Sequence, residues 1–244
     1  MSSFKRFDTV SIELLALVLA LSVSPVNASG SRDAAALQAI QEFAAGRTGV
    51  VCWCSRRNGG AVRIWACDFD GANLRQVSPN ESGYEHIAPL IRPDGTATLY
   101  LRTPTFVNTS QHSNPGSFYD DFTGDLVLVD ADDTDGSSAR ALVADCRSIF
   151  EWRAAAWIDN DNFAYIGQDH DGYVYTISTQ ESRKIFNYPR DAYGALPNPQ
   201  LSHCIDGGNR LYRIDNPGPG GTCTQLHDYD GCQGSLSRDG TIAY

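Results

Sequence analysis

Five polar residues stand at matching distances from a recurring turn, and chemistry is sought there first. Eight residues before Asp94, Asp161, Asp206 and Asp239 come His86, Arg153, Asn198 and Gly231, and one residue earlier come Glu85, Trp152, Pro197 and Asp230. Glu85, His86, Arg153, Asn198 and Asp230 together supply carboxylate, imidazole, guanidinium and carboxamide, groups that hold a polar ligand if the turns converge. The same groups serve equally as solvated loop residues or as bonds between sheets. No compact catalytic set accompanies them: there is no G-x-S-x-G elbow, no P-loop and no G-x-G-x-x-G. The histidines His86, His112, His170, His203 and His227 show no local ligand spacing. The acidic run Asp130–Gly136 lacks the EF-hand carboxylates, because positions one and twelve of such a loop fall on Ala131 and Leu142. No catalytic residue, metal or cofactor is therefore assigned, and the acidic run is read as a solvated hairpin.

The turns themselves specify the elements. Leu90-Ile91-Arg92-Pro93-Asp94-Gly95 precedes Leu99-Tyr100-Leu101, and Trp157-Ile158-Asp159-Asn160-Asp161-Asn162 precedes Phe163-Ala164-Tyr165. Leu201-Ser202-His203-Cys204-Ile205-Asp206-Gly207 precedes Leu211-Tyr212, and Ser237-Arg238-Asp239-Gly240 precedes Thr241-Ile242-Ala243-Tyr244. Asp-Gly and Asp-Asn favour hairpin turns that need positive φ, so each phrase joins two antiparallel strands. Strands are expected at Val50–Ser55, Val62–Asp68, Leu74–Val77 and His86–Ile91 as one four-strand cycle. The second cycle is Thr98–Arg102, Asp125–Val129 and Arg140–Val143, and the third is Phe163–Gly167, Tyr173–Ser178 and Lys184–Phe186. A fourth starts at Arg210. Between Pro104 and Thr123 a polar stretch reads as an excursion. A helix is expected over Ser31–Ala45, from its alanines and the spacing of Leu37, Ile40 and Phe43, ending at Gly46.

The stretch Val62 to Val77, with Asp68-Phe69-Asp70-Gly71, followed by Ala88 to Tyr100, resembles the blade repeat of TolB-like, WD40-like β-propellers. The likeness extends over most of residues 50–244, is strongest in the first blade, and departs in the middle, where Asp159-Asn160-Asp161-Asn162 replaces Ser-Pro-Asp-Gly. It implies an all-β fold of four-stranded blades in an incomplete ring, about three blades and the opening of another over 49–244, with 29–48 as helix and lead-in. The sequence is accordingly expected to be part of a longer propeller. The resemblance also implies that Glu85, His86, Arg153, Asn198 and Asp230 converge at one mouth of a central channel.

Composition narrows the setting. Lys5 and Arg6, the apolar run Leu14–Leu21 and the small residues to Ala28 read as a signal peptide over 1–28. A secreted or periplasmic chain with no stable membrane span after cleavage follows. Seven cysteines make disulfides expected in that setting, with Cys223–Cys232 able to close a short loop and Cys52, Cys54 and Cys67 on neighbouring strands. A formal charge of −10 disfavours nucleic acid. Asn80-Glu81-Ser82 and Asn108-Thr109-Ser110 are glycosylation sequons in loops. Trp53, Trp65, Trp152 and Trp157 read as blade packing, with a sugar platform as the alternative. The function expected is a non-catalytic scaffold that binds a protein or envelope component, with carbohydrate as a further partner class. Its alternative is the front of a secreted propeller enzyme, a carbohydrate-active lyase or hydrolase, or a propeller preceding a serine-peptidase domain.

Overall fold

Strand alternation and hairpin chemistry produce a succession of antiparallel meanders. The computed structural model describes residues 30–104, 122–148, 153–189, 194–206, 210–228 and 236–237, with side chains from residue 34 onward. The signal segment, His112, Asn108, Trp152, Asp230, Cys232 and Asp239 lie outside the described residues.

The chain divides into two units. The smaller comprises residues to Thr48 with Phe69–Ala72. Its helix α1 (Gly30–Ala44) falls within one residue of the expected span at each end. Ile40 and Ala44 are buried, the Phe43 and Phe69 ring centroids lie 5.8 Å apart, and Arg47 covers the Phe43 ring.

The larger unit holds all the strands. A three-stranded sheet contains β1 (Val50–Ser55), β2 (Arg63–Asp68) and β3 (Arg75–Gln76). Three four-stranded meanders follow. The first is β4 (Glu85–Ile91), β5 (Ala97–Thr103), β6 (Thr123–Asp130) and β7 (Arg140–Arg147). Then come β8 (Ala155–Trp157), β9 (Asn162–Ile166), β10 (Gly172–Thr176) and β11 (Glu181–Phe186). The last is β12 (Ala195–Pro197), β13 (His203–Asp206), β14 (Arg210–Asp215) and β15 (Thr222–Asp228). Every ladder between these strands is antiparallel. One pair, Arg147↔Ile166, links the β4–β7 and β8–β11 meanders. The fold is thus all-β and built from repeated four-stranded units, and its described sheets form no closed barrel.

Period-2 alternation lets one strand feed two cores. In β5, Leu99 and Leu101 join Leu126 and Leu128 to face Phe163, Tyr165 and Tyr175 of the following meander. Tyr100, between them, faces the opposite way with Val127 and Val129, toward Ile64 and Ala66. In β9, Ala164 turns from the first of these cores to pack with Phe186, Tyr188 and Tyr212. Three apolar layers therefore lie between four successive sheets.

Two expectations are corrected. The strand containing His86–Ile91 bonds to β5 rather than β3, so it opens the second sheet instead of completing the first. The phrase ending at Asp206 does join two antiparallel strands, β13 and β14, but Asp206, fully buried opposite Ala195, does not stand at the corner equivalent to Asp94. The corner equivalent to Arg92-Pro93-Asp94-Gly95 is Asn198-Pro199-Gln200-Leu201. Arg92 N donates to Ala97 O and Gly95 N to Arg92 O, each at 2.8 Å. In the same pattern Asn198 N donates to His203 O at 2.8 Å and Leu201 N to Asn198 O at 3.0 Å. Leu201 takes φ +53° where Gly95 takes φ +76°. A leucine in a left-handed position is an uncommon turn signal, and the Asn198 carboxamide sustains it by accepting from Ser202 N and His203 N, both at 3.0 Å.

Candidate functional site

Glu85 and His86 begin β4, and both are buried at the junction with the first sheet. Glu85 accepts from Arg56 Nη2 at 3.0 Å on each oxygen and from Val62 N at 3.1 Å. His86 N donates to Val62 O at 3.0 Å. The His86 ring is fully buried; its Nδ1 meets Ser78 Oγ at 2.9 Å, and its Nε2 meets Glu81 Oε2 at 3.4 Å. The Glu81 carboxylate can only accept, so the imidazole hydrogen is assigned to Nε2, and Nδ1 then accepts from Ser78 Oγ, which itself accepts from Ile64 N at 2.9 Å. Burial, aided by Arg63, pulls the imidazole pKa down to about 4 against the partial opposition of Glu81. His86 is neutral at pH 7.

Glu81 connects this buried network to the surface. Arg102 grips it with two bonds, Nε to Oε2 at 2.7 Å and Nη2 to Oε1. Arg102 Nη1 also donates to Asp125 Oδ2 at 2.9 Å, and its guanidinium lies 3.4 Å from the Tyr84 ring centroid. The Arg102 bond holds the Glu81 carboxyl below its ordinary range. Arg63 closes the underside, donating to Val62 O at 2.8 Å, to Tyr84 O at 2.9 Å and to Glu81 O.

Beside these groups opens a cleft of about 340 Å³. Asn80, Glu81 and Arg102 give it a polar side, Val127, Ala139 and Ala141 an apolar one, and Tyr100 lines it with a buried hydroxyl that has no partner. The loop between β6 and β7 forms part of the wall, as the expected hairpin. Asp133 shapes it by accepting from Asp135 N and Gly136 N, each at 2.9 Å, and from Ser138 N at 2.7 Å.

Of the other described candidates, Arg153 holds a matching place in its meander and Asn198 does not. Continuing the β8–β9 register two residues beyond Ala155↔Tyr165 sets Arg153 opposite Gly167, the fifth pair from the corner, as His86 opposite Arg102 is in the preceding meander. The extra residue of a bulge in β4, where Ala88 has φ +54° and the register shifts between Ile87 and Leu90, is offset because Asp161 stands one residue further past its corner than Asp94 does. Asn198 occupies the corner at the far end of β12, whereas Glu85 and His86 occupy the near end of β4. The eight-residue spacing therefore does not bring Asn198 to the same end of its sheet. Among the described residues, no group of three or more His, Cys, Asp or Glu side chains is placed to hold a metal ion.

Three features escaped the sequence reading. Ser78 carries no motif and Glu81 stands only inside a glycosylation sequon, and the fold alone sets them around His86. Asp206 is a core carboxylate, accepting from Tyr188 Oη at 2.6 Å, Tyr212 Oη at 3.3 Å and Arg210 N at 2.8 Å. Burial and that carboxylate raise the Tyr188 pKa far above the ordinary phenol value. Cys204 and Cys223, a pairing not foreseen, bring their Sγ atoms to 3.7 Å. Cys52 and Cys54 point to the inner face of the first sheet, as alternation demands, while Cys67, opposite Val51, points to the other.

Meanders of this kind are the blade unit of β-propellers. No protein-family model and no curated protein matches the sequence. Among solved structures the chain is similar to TolB from Acinetobacter baumannii, at 16% identity over 89% of this chain and 53% of that one, with a TM-score of 0.47. A puromycin-hydrolyzing peptidase of Mycobacterium tuberculosis aligns at 14% identity over 79% and 34%, TM-score 0.48. Oligogalacturonate lyase from Vibrio parahaemolyticus aligns at 13% identity over 72% and 44%, TM-score 0.39. The chain spans about half or less of the length of each.

Proposed function

We propose that this chain is an exported, secreted or periplasmic, propeller scaffold that binds a protein or cell-envelope component through the cleft beside Glu81 and Arg102. One observation carries the reading. Glu85 and His86 use their polar groups to fasten β4 to the first sheet, whereas the adjoining cleft combines an arginine, a tyrosine and a carboxamide with apolar walls. That mixture suits a protein contact, where arginine and aromatic residues are enriched. No described helix is long and apolar enough to cross a membrane.

The test presents solubilised envelope proteins to the immobilised full chain, then titrates the purified retained protein against wild type and Ala141→Arg. Ala141 is exposed and lines the cleft, so the arginine fills it without entering the core. Loss of at least tenfold in affinity with unchanged melting supports the proposal. Equal binding by both proteins, or retention of no protein, overturns it.

A further inference from the structure

We propose that a second, separate groove, on the first sheet, binds one ring of an uncharged sugar. The groove measures about 230 Å³ and is lined by Ser55, Asn58, Arg63, Trp65, Gln76 and Asn80 together with Gly60 and Ala61. That volume lies below the roughly 300–1,000 Å³ of drug-sized sites and suits a single ring. Its polar groups are three carboxamides, a hydroxyl, the Trp65 indole N–H and the Arg63 guanidinium, with no carboxylate among them. Asn58 Nδ2 donates to Gln76 Oε1 at 3.2 Å, and Gln76 Nε2 donates to Asn80 Oδ1 at 3.1 Å and to Ser78 O at 2.8 Å. The row leaves Asn58 Oδ1 as an acceptor and Asn80 Nδ2 as a donor, the pairing that a sugar hydroxyl, itself donor and acceptor, satisfies.

Three further observations point the same way. Trp65 Nε1 is buried without a partner, and an orphaned indole N–H in a polar groove calls for an acceptor. Arg57 lies over the Trp65 ring, 5.6 Å from its centroid, and no described carboxylate pairs with it. The Arg63 guanidinium is buried and already bonded to Val62 O, Tyr84 O and Glu81 O. A cationic ligand is therefore repelled by both arginines, and a neutral ring meets flat donors and an aromatic edge. The register explains how the strands assemble the site: Trp65 stands opposite Gln76 on β3, with Arg63 two residues along β2 on the same face. This groove shares Asn80 with the cleft, so the test relies on residues that only the groove contains.

The experiment is saturation-transfer difference NMR on the full chain with glucose, galactose, mannose and N-acetylglucosamine, and glucosamine as the cationic control. At least one neutral sugar is expected to give a saturable signal, with glucosamine weaker than N-acetylglucosamine. Asn58→Ala, an exposed substitution, and Trp65→Phe, which keeps a ring but removes the N–H, are each expected to weaken that binding about fivefold, the worth of one hydrogen bond. Ala141→Arg leaves it unchanged. No saturable signal from the four neutral sugars, or equal binding by wild type, Asn58→Ala and Trp65→Phe at unchanged melting temperature, overturns the proposal. A sugar signal that survives loss of the protein partner separates this site from the cleft.

Discussion

Two buried ionisable residues make the residue scale testable. His86 has a folded pKa near 4 against an ordinary value of 6.5, so the unfolded chain binds a proton between these values that the folded chain does not. Stability is then full above about pH 6.5 and falls as pH drops toward 4, by about 3 kcal/mol from this group. The Glu81 carboxyl is held below its ordinary range by Arg102, so it takes up a proton at lower pH than a free carboxylate would, and Arg63 and Arg102 keep their charge. Urea unfolding at pH 7 and pH 4.5 should show the loss, and His86→Gln should flatten it. Asp206 offers a second measurement. Asp206→Ala strands two tyrosine hydroxyls in the core and takes from Arg210 one of its two carboxylate partners, at a cost of about 3 kcal/mol, whereas Asp94→Ala, at an exposed corner, should shift the urea midpoint far less. Comparable shifts would mean that the buried bonds of Asp206 add nothing beyond what an exposed corner residue supplies. The sequence could mark His86 and Glu85 as polar groups at a strand start, but it could not show whether they face water or a neighbouring sheet, because Ser78, Val62 and Arg56 reach them only through tertiary contact.

At the scale of elements, the hairpin corners show what local chemistry does and does not write into a chain. Asp94-Gly95 and Asp159–Asn162 were legible because their residues favour these turns whatever surrounds them. Asn198–Leu201 was not, since Leu201 takes its left-handed conformation by virtue of the Asn198 bonds and its partial burial beside Tyr212 and Ile214. The error displaced one turn and, with it, one of the five candidate residues. Glycines separate the two kinds of constraint. Gly95 has φ +76° and open space where a Cβ would go, so Gly95→Ala should cost only the backbone strain, about 1 kcal/mol. Gly136 has φ +78°, and an added Cβ would lie 2.2 Å from Pro79 N. Gly136→Ala should therefore cost about 3 kcal/mol or more and disturb the cleft that Pro79 and Ala139 line. Thermal melts of the two variants decide this, and equal shifts would contradict the close approach.

For the whole molecule, the repeat of strands was readable from period and turns, while the partition into sheets was not: nothing local tells β4 to bond forward to β5 instead of back to β3. Among the described residues β15 is the last strand of its sheet; it is mostly exposed and carries Leu226 at 46% exposure. A strand edge with an apolar tip invites pairing between copies. Leu226→Lys should slow aggregation, read by light scattering at raised temperature, with little change in melting. The single ladder pair between β7 and β9 has another outcome. Besides Arg147↔Ile166 and the bond from Trp157 Nε1 to Leu90 O at 3.0 Å, the seam between the two middle meanders is a layer of leucines and aromatic rings. Adhesion of that kind weakens on cooling, because water at low temperature rejects apolar surface less strongly, while the ladders within each meander lose no such support. Cold, more than warmth, is the stress that this seam feels first, and a sample held on ice should lose near-ultraviolet dichroism from the packed Phe163 and Tyr165 rings before the far-ultraviolet signal of the strands changes.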